Sequence, residues 1–128
     1  MSPAQAIMRT YLPAASALSF VASAMAASIE LINTPPAGRP GEFAAEEIRR
    51  EAAAKGMTLQ PDARATTVSL AVEAQGNEPQ SYRIRVQNED GRSTIAVTGA
   101  DQTGAMYGGL DVAEAIRNGT LEAVRDSD

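Results

Sequence analysis

The chain has 128 residues, with 16 acidic against 11 basic side chains and a net charge of −5. That length suits one small domain. The absence of Cys and His excludes disulfides, Ser-His-Asp or Cys-His catalysis and any His- or thiolate-based metal site, and with Arg83 and Arg85 isolated no basic stripe invites nucleic acid.

Residues 1–26 have the pattern of a secretory signal. Arg9 supplies a positive start, Thr10–Ala22 is apolar and small, and Ala24-Met25-Ala26 offers the small residues a signal peptidase reads. The apolar run is shorter than the roughly 20 residues that cross a bilayer. The expectation is a domain over 27–128, periplasmic or secreted in a bacterium, with no membrane contact after cleavage. Without disulfides its core must hold alone.

Ser28–Thr34 reads as a first strand, with Ile29 and Leu31 on one face and Glu30 on the other. Pro35, Pro36, Gly38 and Pro40 form a stiff loop. Gly41–Lys55 reads as a helix, with Glu42, Glu46 and Glu47 early and Arg49, Arg50 and Lys55 late, as the macrodipole favours. Phe43, Ala44, Ile48 and Ala52 form its apolar stripe, and Gly56 stops it.

Thr66–Ala74 alternates, with Val68, Leu70 and Val72 on one face. A turn follows at Gly76–Pro79. Ser81–Gln87 alternates Tyr82, Ile84 and Val86 against Arg83, Arg85 and Gln87, and Asp90-Gly91 marks a hairpin into Ser93–Thr98. Met106, Tyr107, Leu110, Ala113 and Ile116 have helical spacing, with Gly119 as the stop. The acidic tail Thr120–Asp128 shows no element of its own.

The order is β-α-β-β-β-α. The first crossover implies parallel pairing, and the last three strands imply an antiparallel meander. The fold class expected is α+β: a two-layer sandwich with a mixed four-stranded sheet and both helices on one face.

Between the last strand and helix lies Gly99-Ala100-Asp101-Gln102-Thr103-Gly104-Ala105-Met106-Tyr107-Gly108. Asp101 or Thr103 can cap the helix. Gly108 and Gly109 inside it each cost about 1 kcal/mol relative to Ala, which points to backbone packed tightly on a neighbour. A phosphate cradle is the competing reading, but the Lys and Ser/Thr of a P-loop and the Gly-x-Gly-x-x-Gly spacing are both missing. Close packing is therefore favoured.

Tyr82-x-Ile84-x-Val86 followed by Ile95-x-Val97-x-Gly99-Ala100-Asp101-x-x-Gly104-x-x-Tyr107-Gly108 resembles the N-terminal accessory domain of glycoside hydrolases. Bacterial β-hexosaminidases of family 20, α-glucuronidases of family 67 and α-N-acetylglucosaminidases carry such a domain. The helix Phe43-Ala44-Ala45-Glu46-Glu47-Ile48 fits its first helix. The resemblance spans Ser28 to about Glu122 and implies a domain that precedes a catalytic (β/α)8 barrel in an exported enzyme of polysaccharide breakdown. Gly99, Ala100, Asp101, Gly104, Tyr107 and Gly108 are then structural markers. No catalytic, cofactor-binding or metal-binding residue is carried over, and the implied partner is the barrel of the same polypeptide.

Hydrolysis of a glycosidic bond normally takes two carboxylates about 5–10 Å apart across a cleft. The acids here read as helix surface (Glu46, Glu47, Glu51), turn (Glu89, Asp90) and cap (Asp101). Phe43, Tyr82 and Tyr107 fall on expected core faces rather than on a sugar platform. Arg83, Arg85 and Gln87 read as a solvated sheet face, with an acidic partner or a uronic acid as the functional alternative. Asn118-Gly119-Thr120 matches a glycosylation sequon that a bacterium would leave idle. A free-standing inhibitor module and a carbohydrate-binding module are the competing functions.

Overall fold

The computed structural model describes residues 27–61, 65–73 and 78–128. The expected signal, 1–26, and Gly76 and Asn77 of the expected turn lie outside the described residues. The elements are β1 (Ser28–Asn33), a 3-10 turn (Pro35–Ala37), α1 (Gly38–Ala54), β2 (Thr58–Leu59), β3 (Thr66–Val72), β4 (Tyr82–Glu89), β5 (Arg92–Gly99), α2 (Gln102–Arg117) and a 3-10 turn (Leu121–Ala123).

The class is α+β, with a mixed sheet of five strands rather than four, ordered β2-β1-β3-β5-β4. The added strand, β2, is two exposed residues paired parallel to β1, too short to show a period. The pairing of β1 with β3 is parallel, as the crossover implies. The antiparallel meander is not what forms. β4 lies at the far edge, and β5 returns between it and β3, parallel to β3 and antiparallel to β4. Side-chain type explains the exchange. The inward residues of β5 meet those of β3 in register, Ile95 beside Val68 and Val97 beside Leu70. Its outward residues, Thr94, Ala96 and Thr98, are small enough for an interior strand. β4 places Arg83, Arg85 and Gln87 outward, which suits an edge.

Both helices pack on the apolar face. Ile29, Ile48, Leu70, Ile95, Val68, Val97 and Val112 are fully buried there, each contributing roughly 1.5–3 kcal/mol on burial. Alanines 44, 45 and 52 of α1 and Ala105 and Ala113 of α2 complete the core, and small side chains let the helices approach. Arg117 pairs with Glu51 across them at 3.6 Å.

α1 begins at Gly38, three residues earlier than its sequence suggests, and ends at Ala54, before Lys55, so neither an acid in the first turn nor a base in the last serves the macrodipole. Pro40 is tolerated because the first-turn N–H groups have no intrahelical acceptor. Both helices end in a left-handed glycine, Gly56 (φ +74) and Gly119 (φ +72). Met57 N–H donates to Ala52 O at 2.9 Å and Thr120 N–H to Ala115 O at 2.8 Å, the reverse bonds of a Schellman turn. The tail is not featureless: Ser127 bridges Ile84 in antiparallel fashion.

Candidate functional site

The strand-to-helix junction is the best-built local feature of the molecule. Asp101, in extended backbone, caps α2: its Oδ1 accepts from Gly104 N–H at 2.7 Å. Its Oδ2 accepts from Gln80 N–H at 3.0 Å, so the same carboxylate also holds the entry to β4. Ala100 N–H donates to Ser81 O at 2.9 Å beside it. Gln80 takes a left-handed φ of 65° to present its N–H. These hydrogen bonds, led by those from Gly104 and Gln80, hold the Asp101 carboxyl below the usual carboxylate range.

The glycines explain the closeness. A Cβ on Gly99 would run into the backbone of Ala105 and Asp101. On Gly104 it would meet the Ser81 carbonyl oxygen. On Gly108 it would strike Val97 Cγ1 and the Tyr82 ring, and on Gly109 it would lie 2.7 Å from Ala44 Cβ and 3.2 Å from Leu70 Cδ2. The junction is a packed hinge. Its helix N-terminus is already filled by a carboxylate, whose charge opposes a second anion, so the arrangement does not suit a phosphate.

The motif residues divide. Gly99, Gly104 and Gly108 are buried with Ala100, and Asp101 is the cap. Tyr107, expected on the core face, is instead 42% exposed. The buried stripe of α2 is Gly104, Ala105, Gly108, Gly109, Val112, Ala113 and Ile116. The stripe expected from large apolar residues is rotated toward Met106 and Tyr107, because at Gly104, Gly108 and Gly109 the helix lies too close to its neighbours for a side chain. Phe43 is likewise exposed, at 53%. On α1 the buried side is taken by Gly41, Ala44, Ala45, Ile48 and Ala52.

Tyr82 does line the core, as expected, but its hydroxyl reaches out to donate a short hydrogen bond to Asp111 Oδ2. That bond, burial and the Asp111 charge push the phenol up to about 12. Nothing in the sequence pattern links these two residues, since strand periodicity does not say which helix position lies opposite.

Several carboxylates have structural partners. Glu46 pairs with Arg49 at 2.7 Å and Glu47 with Arg50, both one helical turn apart. Glu30 faces Arg92 at 3.5 Å. Among the described residues no group of three His, Cys, Asp or Glu could hold a metal ion. On the outer sheet face Arg85 is held by Ser127 O and Asp128. Arg83 and Arg85 line a cavity of about 310 Å³ with Thr98 and Asp128. A second cavity, of about 320 Å³, is lined by Glu30, Leu31, Arg49 and Leu59.

No family model and no curated protein matches the sequence. Among solved structures the fold is similar to part of a GH138 enzyme targeting pectin rhamnogalacturonan II, with a TM-score of 0.58 and 17% identity over 78% of this chain. The chain spans 15% of that enzyme's length. The likeness is one of fold: this architecture occurs within a glycoside hydrolase.

Proposed function

We propose that the chain is a non-catalytic domain of an exported glycoside hydrolase, and that it packs against a catalytic barrel of the same polypeptide and stabilises it. The observation that carries this reading is the fold's likeness to a small share of a much longer glycoside hydrolase, together with the element order and the Gly-Ala-Asp…Gly…Tyr-Gly junction. The chemistry supports it. Glycoside hydrolysis needs a carboxylic acid and a carboxylate facing one bond, whereas Asp101 is spent on a helix cap and Asp111 on Tyr82. A domain of about a hundred residues buries only about 60–65% of its unfolded surface, so a neighbour adds stability. The α-glucuronidase and β-hexosaminidase types are the enzyme classes proposed.

The test is an assay of the purified 128-residue chain with aryl hexosaminides and aryl glucuronides, beside the coding sequence beyond Asp128. The reading expects no turnover above buffer and a reading frame continuing into a barrel. Turnover by the isolated chain, or a stop codon directly after Asp128, would overturn it.

A further inference from the structure

The segment after α2 is tied to the sheet edge in several independent ways. Gly119 and Thr120 turn the chain back toward β4. Leu121 and Val124 pack against the core. Ile84 and Ser127 then exchange both backbone hydrogen bonds, at 2.9 and 3.0 Å, the pattern of an antiparallel bonded pair. Two residues along β4, the Val86 N–H donates to Asp126 Oδ1 at 2.8 Å. From the outer face Arg85 donates to Ser127 O at 3.1 Å and to Asp128 Oδ1 at 2.7 Å.

An open edge strand presents unpaired N–H and C=O groups to any passing strand. Here the donors of Ile84 and Val86 are both answered, one by backbone and one by a carboxylate. The carboxylate ends the ladder after one pair, because Asp126 takes the donor that a longer strand would have paired. Asp128 is thereby drawn beside Arg83, Arg85 and Thr98 on the outer sheet face. A free tether of this length would leave a following domain unoriented.

We propose that Leu121–Asp128 is a docked connector: it fixes the point and direction at which a longer chain leaves this domain, at the β4 edge and toward the outer sheet face. A following domain is then held at that edge as one body with this one. The inference rests on the reading above that the domain accompanies a catalytic one, and it adds the surface on which the partner sits.

Amide hydrogen exchange on the 128-residue chain tests the docking. Ile84 and Val86 are expected to be protected, and Asp126→Ala with Ser127→Pro is expected to lower their protection about tenfold or more while Ile95 and Val97 keep theirs. Asp126→Ala alone removes only a surface carboxylate; it should release Val86 and leave Ile84 protected. The same chain, carrying a compact reporter domain directly after Asp128, should tumble as one body in NMR relaxation and as two in the double variant. Exchange of Ile84 and Val86 at the rate of the Asp90-Gly91 turn, or independent tumbling in the unaltered fusion, would overturn the proposal. Neither readout involves a glycoside or a barrel, so its failure is distinct from failure of the accessory-domain reading.

Discussion

Tyr82 and Asp111 join the first residue of the edge strand to the middle of the last helix through one hydroxyl-to-carboxylate hydrogen bond. The bond exists only while the phenol keeps its proton, which is why it pushes the group up to about 12. Its folded pKa is raised, so its stabilisation is whole below pH 10 and is lost as the pH rises through about 12. Tyrosinate absorbance should show one phenol ionising near pH 12 that vanishes in Tyr82→Phe and falls toward 10 in Asp111→Asn. An unchanged titration in Asp111→Asn would mean that the bond is not made in solution.

Asp101 has the opposite sign. Its folded pKa is depressed, so its contribution is present above the ordinary carboxylate range and is lost as the pH falls through the lowered value. Denaturant unfolding across the acid range should show a steeper loss for the natural chain than for Asp101→Asn, which caps without titrating. Because the carboxylate also holds Gln80, Asp101→Ala should loosen the β4 entry as well as the helix. Exchange of the Gln80 and Gly104 amides together reports this, and release of Gly104 alone would refute the double role.

Ala44 and Gly109 share one contact between the helices. A methyl group on residue 109 would lie 2.7 Å from the Ala44 methyl carbon. Gly109→Ala should cost about 1–3 kcal/mol by overpacking, offset by about 1 kcal/mol of helix propensity. Ala44→Gly empties the same space. The double variant should be more stable than the sum of the singles predicts, with a coupling of about 0.5–3 kcal/mol in a double-mutant cycle. Simple additivity would show that the two positions do not touch.

Much of the fold was legible where one period dominates. Val68 with Leu70, Ile84 with Val86 and Ile95 with Val97 announce strands by alternation, and Gly56 and Gly119 announce helix ends. Strand order was not legible, because alternation states which face a residue takes and not which strand lies beside it. Residues such as Arg83 and Arg85 on one strand, against Ala96 and Thr98 on the next, hold the clue to edge and interior. At the site, the cap and the close glycines followed from residue type. Tyr107 and Phe43 lie outside the core although they are large and apolar, because closeness rather than size sets the buried face: on α2, Gly104, Gly108 and Gly109 sit where a Cβ would collide. The Asp126–Val86 and Asp101–Gln80 links join distant parts of the chain, and no local pattern encodes them.

Gly104→Ala tests most directly the claim that the Gly99–Gly108 junction is a packed hinge. Gly104 has an ordinary helical backbone, and a Cβ there would collide with the Ser81 carbonyl oxygen. Helix propensity alone favours the variant by about 1 kcal/mol, whereas the collision disfavours it by roughly 1–3 kcal/mol or more, so the two accounts differ in sign. Urea unfolding at neutral pH, read beside a phosphate titration of the folded protein, decides between them. A net loss of stability and no phosphate response in either chain are expected. A variant more stable than the natural chain, or one that folds normally and loses a phosphate-binding response, would contradict the packed hinge.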